Sequence, residues 1–548
     1  MPMADFQNHA DRTLELLAIT PGWAKLQQIR PDCDDATAAA IVEEAAAFAE
    51  GIIAPLNVVA DREGCAVVNG RVVTPDVYKA AFRQYTDAGW LGMDIDEAYG
   101  GMNLPLTLQA VCGTFFERGC VALMMALGSS RAAAHLLAEV AEPVIAEEWV
   151  SNLVAGHWSA TICISEPEAG SDVGRLRTVA RRGQDGWRIT GQKIWISFGD
   201  HDLTQRIGHC LLARTSNQPG TRGLSLFLVP DRHADGLRNG VTLERIEEKM
   251  GLHGSPTCAL RFEAAQAILL GEEGRGLPQL FAMIERMRLQ TGGQGLGLAT
   301  AACDIAEAYA LDRRQGGAPD KPPVAISTHP DIQRQLAQMR GRTEIVRAAL
   351  LEIATTMDLA RHAPSGPARH ALESVSGFLL PLFKNFGAEA GFSIPNAAIQ
   401  VLGGVGYTKD WPLEQYMRDA RVMTIYEGTT GIQAIDLLTR RIWRDQSVGL
   451  ALCLERAWEE VSTVADTHRE IGLAAIAQVK ELAHHMDAMK VDPEAGLARA
   501  DSFMRAIWSF ISIWMAVRLT RSAAARSAAE AMLPVLAAEL TMYATLCR

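Results

Sequence analysis

At residues 158–165 the chain reads WSATICIS, and there its texture changes. Upstream the apolar residues recur at three- and four-residue spacing. ATAAAIVEEAAAFAEGI (36–52) and VYKAAFRQYTDAGWLGM (77–93) both read as amphipathic helices. EAYGGMNLP (97–105) breaks that pattern with Gly-Gly and proline, and a long helical run resumes to residue 150. From residue 159 to 267 the segments are short, β-branched or aromatic and punctuated by glycine. They are SATICIS, GWRITGQKIWIS, HCLLARTS, GLSLFLVP, GVTLERI and TCALRFEAA. About six such runs make a compact β domain. Helical texture returns at LPQLFAMIERMRLQ and continues to GIQAIDLLTRRIW, interrupted by a loop at APDKPPVAISTHP (318–330). A further helical segment follows residue 443.

The expected architecture is therefore α+β and multidomain. It comprises an N-terminal helical domain (1–157), a middle antiparallel β domain (158–277), a C-terminal helical bundle (278–446) and an extra helical module (447–548). A chain of 548 residues is too long for one core. Its 48% apolar and 21% charged content is that of an ordinary globular protein. The net charge of −12 disfavours non-specific nucleic-acid or anionic-membrane binding. From residue 445 onward there are 10 Lys+Arg and 13 Asp+Glu, net −3, so the tail is no basic arm. Ten cysteines without a C-x-x-C pair read as buried reduced thiols. The start, MPMADFQNHADRTLEL, lacks the features of a leader, and AIWSFISIWMAV (506–517) is too short to span a bilayer. A cytoplasmic protein is expected, with no membrane or nucleic-acid partner.

Several motifs invite a chemical reading beside a bland one. ISEPEAGSD (164–172) follows a strand; by composition it is a surface turn, but its amides and the hydroxyls of Ser165 and Ser171 suit an extended polar ligand. In GQKIWIS (191–197), Trp195 is either a core residue or a wall for a flat ring, with Ser197 as a polar tip. RLQTGGQGLGLATAACDIAEAYALDRR (288–314) has clustered glycines, but no strand precedes them, which argues against a Rossmann phosphate loop and for close helix or ligand approach. Arg313 is a solvated cation or a phosphate clamp. QVLGGVGYTKDW (400–411) taken alone is a loop. His201, His253, His484 and His485 lack metal-ligand spacing, so no metal is expected. In MRDARVMTIYEGTTGIQ (417–433), Glu427 taken alone is a helix-start acid favoured by the macrodipole.

Taken together and in this order, SEPEAGSD, GQKIWIS, EKMGLHGSPT, the run 288–314, QVLGGVGY and the run 417–433 resemble the acyl-CoA dehydrogenase family. The resemblance spans residues 36–444, and the helical extension is similar to that of the long bacterial branch that includes 3-methylmercaptopropionyl-CoA dehydrogenases. It implies FAD and an acyl-CoA substrate, with α,β-dehydrogenation to a 2-enoyl-CoA as in fatty-acid β-oxidation. Glu427 would take the α-proton while the β-hydride passes to flavin N5. The Glu427 N–H and a ribityl hydroxyl would polarise the thioester carbonyl. By the same resemblance Ile164, Ser165, Trp195, Ser197 and Thr429 contact the flavin cofactor. Arg313, Gln400, Gly403 and Gly404 reach the FAD of a neighbouring subunit, in a homodimer or homotetramer. Ser171 and Arg288 contact CoA, and Tyr426 packs beside the acyl chain. Electron-transfer flavoprotein is the implied electron acceptor.

Two departures stand out. The family's Arg-x-x-Phe-Gly turn is Arg313-Arg314-Gln315-Gly316-Gly317 here, and Gly431 replaces a Gln or Glu common in mammalian relatives. A free glutamate, with a pKa of about 4.3, is a poor base at neutral pH. The apolar flanks Ile425 and Tyr426 are expected to raise that value by desolvation. The alternatives are an acyl-CoA oxidase, which would release peroxide, and a same-fold flavoprotein that binds nucleic acid or protein.

Overall fold

The structure, a computed structural model, describes residues 6–548. The first five residues of the N-terminal stretch lie outside them. The chain divides into two compact units. Unit 1 holds the residues up to Glu50, Pro105–Arg118 and Arg288–Arg548; unit 2 holds Gly51–Leu104 and Gly119–Met287.

Unit 2 contains the sheet. A hairpin of β1 (Ala66–Val68) and β2 (Arg71–Val73) interrupts the helical N-terminal region, where only helix was expected. Its turn is Asn69-Gly70, both at positive φ, the backbone that a two-residue hairpin loop requires. The main sheet comprises β3 (Trp158–Cys163), β4 (Val179–Gly183), β5 (Gly186–Ser197), β6 (Arg206–Arg214), β7 (Leu224–Pro230), β8 (Val241–Ile246) and β9 (Thr257–Leu270). Six of the seven coincide with the β-patterned segments. The seventh, β4, reads VARRG; its charges conceal a strand that folds back on β5 through Gln184-Asp185. Pairings run β6-β4-β5-β9-β7 and return from β7 to β6, so five strands close on themselves. The pairing is antiparallel except where β6 meets β3 and β4, which it does in parallel.

The period of two sorts side chains between two cores. On β6 and β7, Cys210, Leu212, Leu224, Leu226 and Leu228 join Trp149, Leu280 and Met283 from helices of the same unit. The intervening Leu211, Ala213, Phe227 and Val229 join Ile189, Ile196, Leu260 and Phe262 inside the strand ring. That two-sided burial explains why β7, apolar but for Ser225, is buried along its whole length. Each buried leucine, isoleucine, valine or phenylalanine among them contributes roughly 1.5–3 kcal/mol.

Unit 1 is helical. Residues 288–312 of the helix Gly276–Asp312 lie against the helix Pro367–Leu402 through glycines. A Cβ on Gly295 would stand 1.9 Å from the Gly387 carbonyl oxygen, and one on Gly391 would stand 2.6 Å from Gly295 Cα. The glycine cluster thus serves close helix approach, as the lack of a preceding strand implied. The C-terminal extension forms the helices Val448–Val461, Asp466–Ala488, Pro493–Ala498, Ala500–Leu519 and Arg526–Leu546. Most of the apolar run at 506–517 is buried. The helix Leu106–Val140 is long and apolar enough to cross a membrane by composition, but 83% of its most apolar window is buried inside the protein.

Candidate active site

In unit 1 the chain leaves the helix Leu413–Ala420 and makes one 3-10 turn, Arg421–Thr424. It then places Glu427 and Gly428 at φ 54° and 94° before the helix Thr430–Asp436. Thr429 is the residue that caps this helix, its side chain accepting from the Ile432 N–H. Glu427 is therefore free of the helix-start duty that its position suggested. A left-handed conformation costs a non-glycine residue about 1–2 kcal/mol and collects at functional positions. Glycine is needed next: a Cβ on Gly428 would lie 2.7 Å from Gln433 Nε2. Two side chains hold the turn. Gln433 Nε2 donates to Glu427 O at 2.9 Å, and Lys384 Nζ donates to Gly428 O at 2.7 Å.

Glu427 is half-buried, and its pKa is raised; burial is the cause, opposed by the cations of Arg288 and Lys384. The rise agrees with the sequence reading, although Ile425, at 52% exposure, is not the wall expected there. Arg288 is buried and lies 3.6 Å from the Asp436 carboxylate. Tyr426 Oη donates to Gln294 Oε1. Glu117, which acts electrostatically on Tyr426, is buried and accepts from Gln290 Nε2 at 2.7 Å. Burial pushes its carboxyl up to about 8, against hydrogen bonds from Gln290 and Gln294.

Elsewhere in unit 1, Gln400 is exposed in the last turn of the helix Pro367–Leu402, and Gly403 and Gly404 follow that helix with open space where a side chain would stand. Arg313 is exposed and donates to Gln315 Oε1 at 3.2 Å.

Unit 2 holds a second constellation. The β5–β9 register slips between Lys193 and Ile196, and the bulge turns Trp195 outward at φ 64° and 58% exposure. Ser197 ends the same strand, half-buried. The Ile194 N–H donates to Ser165 O at 2.9 Å, bringing the 164–166 segment beside the bulge. Lys193 Nζ donates to Ile164 O at 2.9 Å and to Glu166 Oε1 at 2.8 Å. Glu166 in turn accepts from the N–H groups of Arg177 and Thr178. Ile164, Ser165, Trp195 and Ser197 are thus gathered, while Ser171 sits exposed farther along the loop.

Comparison with known proteins agrees with this arrangement. The acyl-CoA dehydrogenase N-terminal, middle and C-terminal domains match residues 35–157, 161–265 and 274–442. The chain is 38% identical over 426 residues to the 3-methylmercaptopropionyl-CoA dehydrogenase of Ruegeria pomeroyi, covering 76% of this chain and 72% of that one. The chain belongs to the acyl-CoA dehydrogenase family. It is also 36% identical over 442 residues to a broad-specificity linear acyl-CoA dehydrogenase of Mycobacterium tuberculosis, covering 77% and 72% of the two chains. An acyl-CoA dehydrogenase of Bacillus anthracis complexed with FAD shares the fold at TM-score 0.77 and 21% identity, over 94% of this chain and 89% of that one.

An acyl-CoA dehydrogenase is an FAD-dependent oxidoreductase acting on acyl-CoA. The residues present suit that cofactor. Trp195 offers a flat exposed face on a bulge, and the main chain of Ile164 and Ser165 is pinned next to it. Sequence reasoning missed Lys384, Gln433, Glu117, Gln294, Asp436, Lys193 and Glu166 as parts of this dehydrogenase's two constellations. A lone lysine in the apolar run FLLPLFKNFG (378–387) was the one local signal, since such a residue is seldom buried without a partner.

Proposed function

We propose that this dehydrogenase converts an acyl-CoA thioester to the 2-enoyl-CoA, with Glu427 as the base that removes the α-proton. The observation that carries the reading is the strained turn at Glu427, whose carboxyl is raised by burial and faced by two cations. A raised carboxyl is a better match to proton abstraction near neutrality than a solvated one. FAD, when bound, supplies the acceptor for the β-hydride at N5. Ile164, Ser165, Trp195, Ser197 and Thr429 are assigned to holding it, with Trp195 as the wall. Ser171 and Arg288 are assigned to CoA, and Tyr426 to the acyl chain. The exposure of Arg313, Gln400, Gly403 and Gly404 in the single chain supports their reaching the cofactor of a second subunit, in a homodimer or homotetramer. Electrons pass on to electron-transfer flavoprotein, and the enzyme works in the cytoplasm. The four-part division at residues 157, 277 and 446 belongs to the same reading.

The substitution Glu427→Gln tests the assignment. The variant is expected to bind FAD and stay yellow, but to lose anaerobic bleaching by acyl-CoA by at least about 10²-fold in rate. Bleaching at the wild-type rate removes Glu427 from the role. Running the assay with short, long, branched and thioether-bearing acyl-CoAs assigns the acyl group.

A further inference from the structure

Two buried donors converge on the main chain that carries Glu427. Lys384 and Gln433 are both fully buried, the first on the helix Pro367–Leu402 and the second on the helix Thr430–Asp436. Lys384 Nζ donates to Gly428 O at 2.7 Å; Gln433 Nε2 donates to Glu427 O at 2.9 Å and to Gly428 O at 3.4 Å. The turn between them is one that a glutamate adopts unwillingly, at φ 54°. A buried ammonium is costly, and here its hydrogen bond goes to a main-chain carbonyl, so the group that holds it does not cancel its charge. That arrangement makes little sense as packing alone.

We propose that Lys384 and Gln433 are positioning residues for the base. Their donors clamp the carbonyls of residues 427 and 428 and fix the left-handed turn that aims the carboxylate. The Lys384 cation favours the carboxylate's ionised form. The proposal rests on Glu427 being the base. Five other titratable groups surround the turn: Arg288, Asp436 and its second partner Arg440, Tyr426 and Glu117. Arg288 lies 3.6 Å from Asp436, which Arg440 holds closer at 3.0 Å, so Glu427 feels both cations, Arg288 more than Lys384; of the two, Lys384 is the one that also holds the main chain of the turn. Burial pulls Lys384 down to about 7, with Arg288 adding to the fall and Glu427 opposing it.

Three variants and Glu427→Gln form the test, each checked for FAD absorbance and thermal midpoint. Lys384→Met removes both hold and charge. The acid limb of its kcat/KM profile is expected to move up by about one pH unit, a roughly tenfold loss below the limb, with a lowered plateau. Lys384→Gln retains a donor and loses the charge, so its plateau recovers while the limb stays shifted. Gln433→Leu removes hold without charge: kcat falls roughly tenfold and the limb does not move. Acid limbs of both Lys384 variants that coincide with wild type, or Gln433→Leu at wild-type kcat, overturn the proposal. If the Lys384 variants do not fold, Gln433→Leu decides alone. Bleaching by Glu427→Gln sinks the underlying base reading, whereas its loss beside unaffected clamp variants sinks only the clamp.

Discussion

Glu117 shows how one buried side chain sets a pH dependence. Its carboxyl, ordinarily near 4.5, is pushed up to about 8 by burial and keeps its proton in the folded chain at neutral pH. The unfolded chain releases that proton above about 4.5, so stability falls as pH rises from there to about 8. Glu117→Gln keeps an acceptor for Gln290 and has nothing to ionise. Its thermal midpoint is expected to match wild type near pH 4.5 and exceed it at pH 8, by an amount equivalent to roughly a few kcal/mol. Equal midpoints at both values would contradict the burial argument. The base role proposed for Glu427, itself raised by burial, carries the opposite dependence: it requires the ionised form, so activity is expected to be lost as pH falls through the raised value. Glu427 was singled out through the resemblance that the run 417–433 carries; taken alone it reads as a helix-start acid. Glu117, inside CGTFFERGC, and Lys384, inside FLLPLFKNFG, have no such context.

Single strands and turns depend on a few internal ties. The Lys193–Glu166 pair fastens the 164–166 segment to β5, two residues before the bulge that presents Trp195. Both side chains are buried, so removing one partner strands the other. Lys193→Met is expected to cost about 3–5 kcal/mol in denaturant unfolding and to lower the FAD content of the purified protein. Unchanged unfolding and a full flavin spectrum would show that the pair does not anchor the loop. Most strands were readable from alternation. β4 was not, because its exposed arginines hide the register, and the β1–β2 hairpin was missed although Asn-Gly is a strong turn signal, because helical texture surrounds it.

For the molecule at large, the C-terminal extension is bound to the rest of unit 1 by buried charge. Arg518 donates to both Glu352 and Glu460, Arg456 reaches Glu352, and Trp514 Nε1 donates to Glu460. Outside that network, Trp508 stacks on Phe386 at 4.8 Å between ring centres. Arg518→Met leaves two buried carboxylates short of a cation. The expected result is a loss of about 3–5 kcal/mol and release of a C-terminal fragment under limited proteolysis. A protease-resistant variant of wild-type stability would refute that account.

By itself the sequence determined the order of helical and β segments, the family, and the turn that bears Glu427, because period, turn chemistry and short motifs are local properties. Only the tertiary structure decided what surrounds that acid. Lys384 and Gly428 are 44 residues apart, Gln294 and Tyr426 are 132 apart, and Glu117 and Gln290 are 173 apart. Burial and Coulomb forces depend on distance in space, and no spacing along the chain encodes which buried charges will meet.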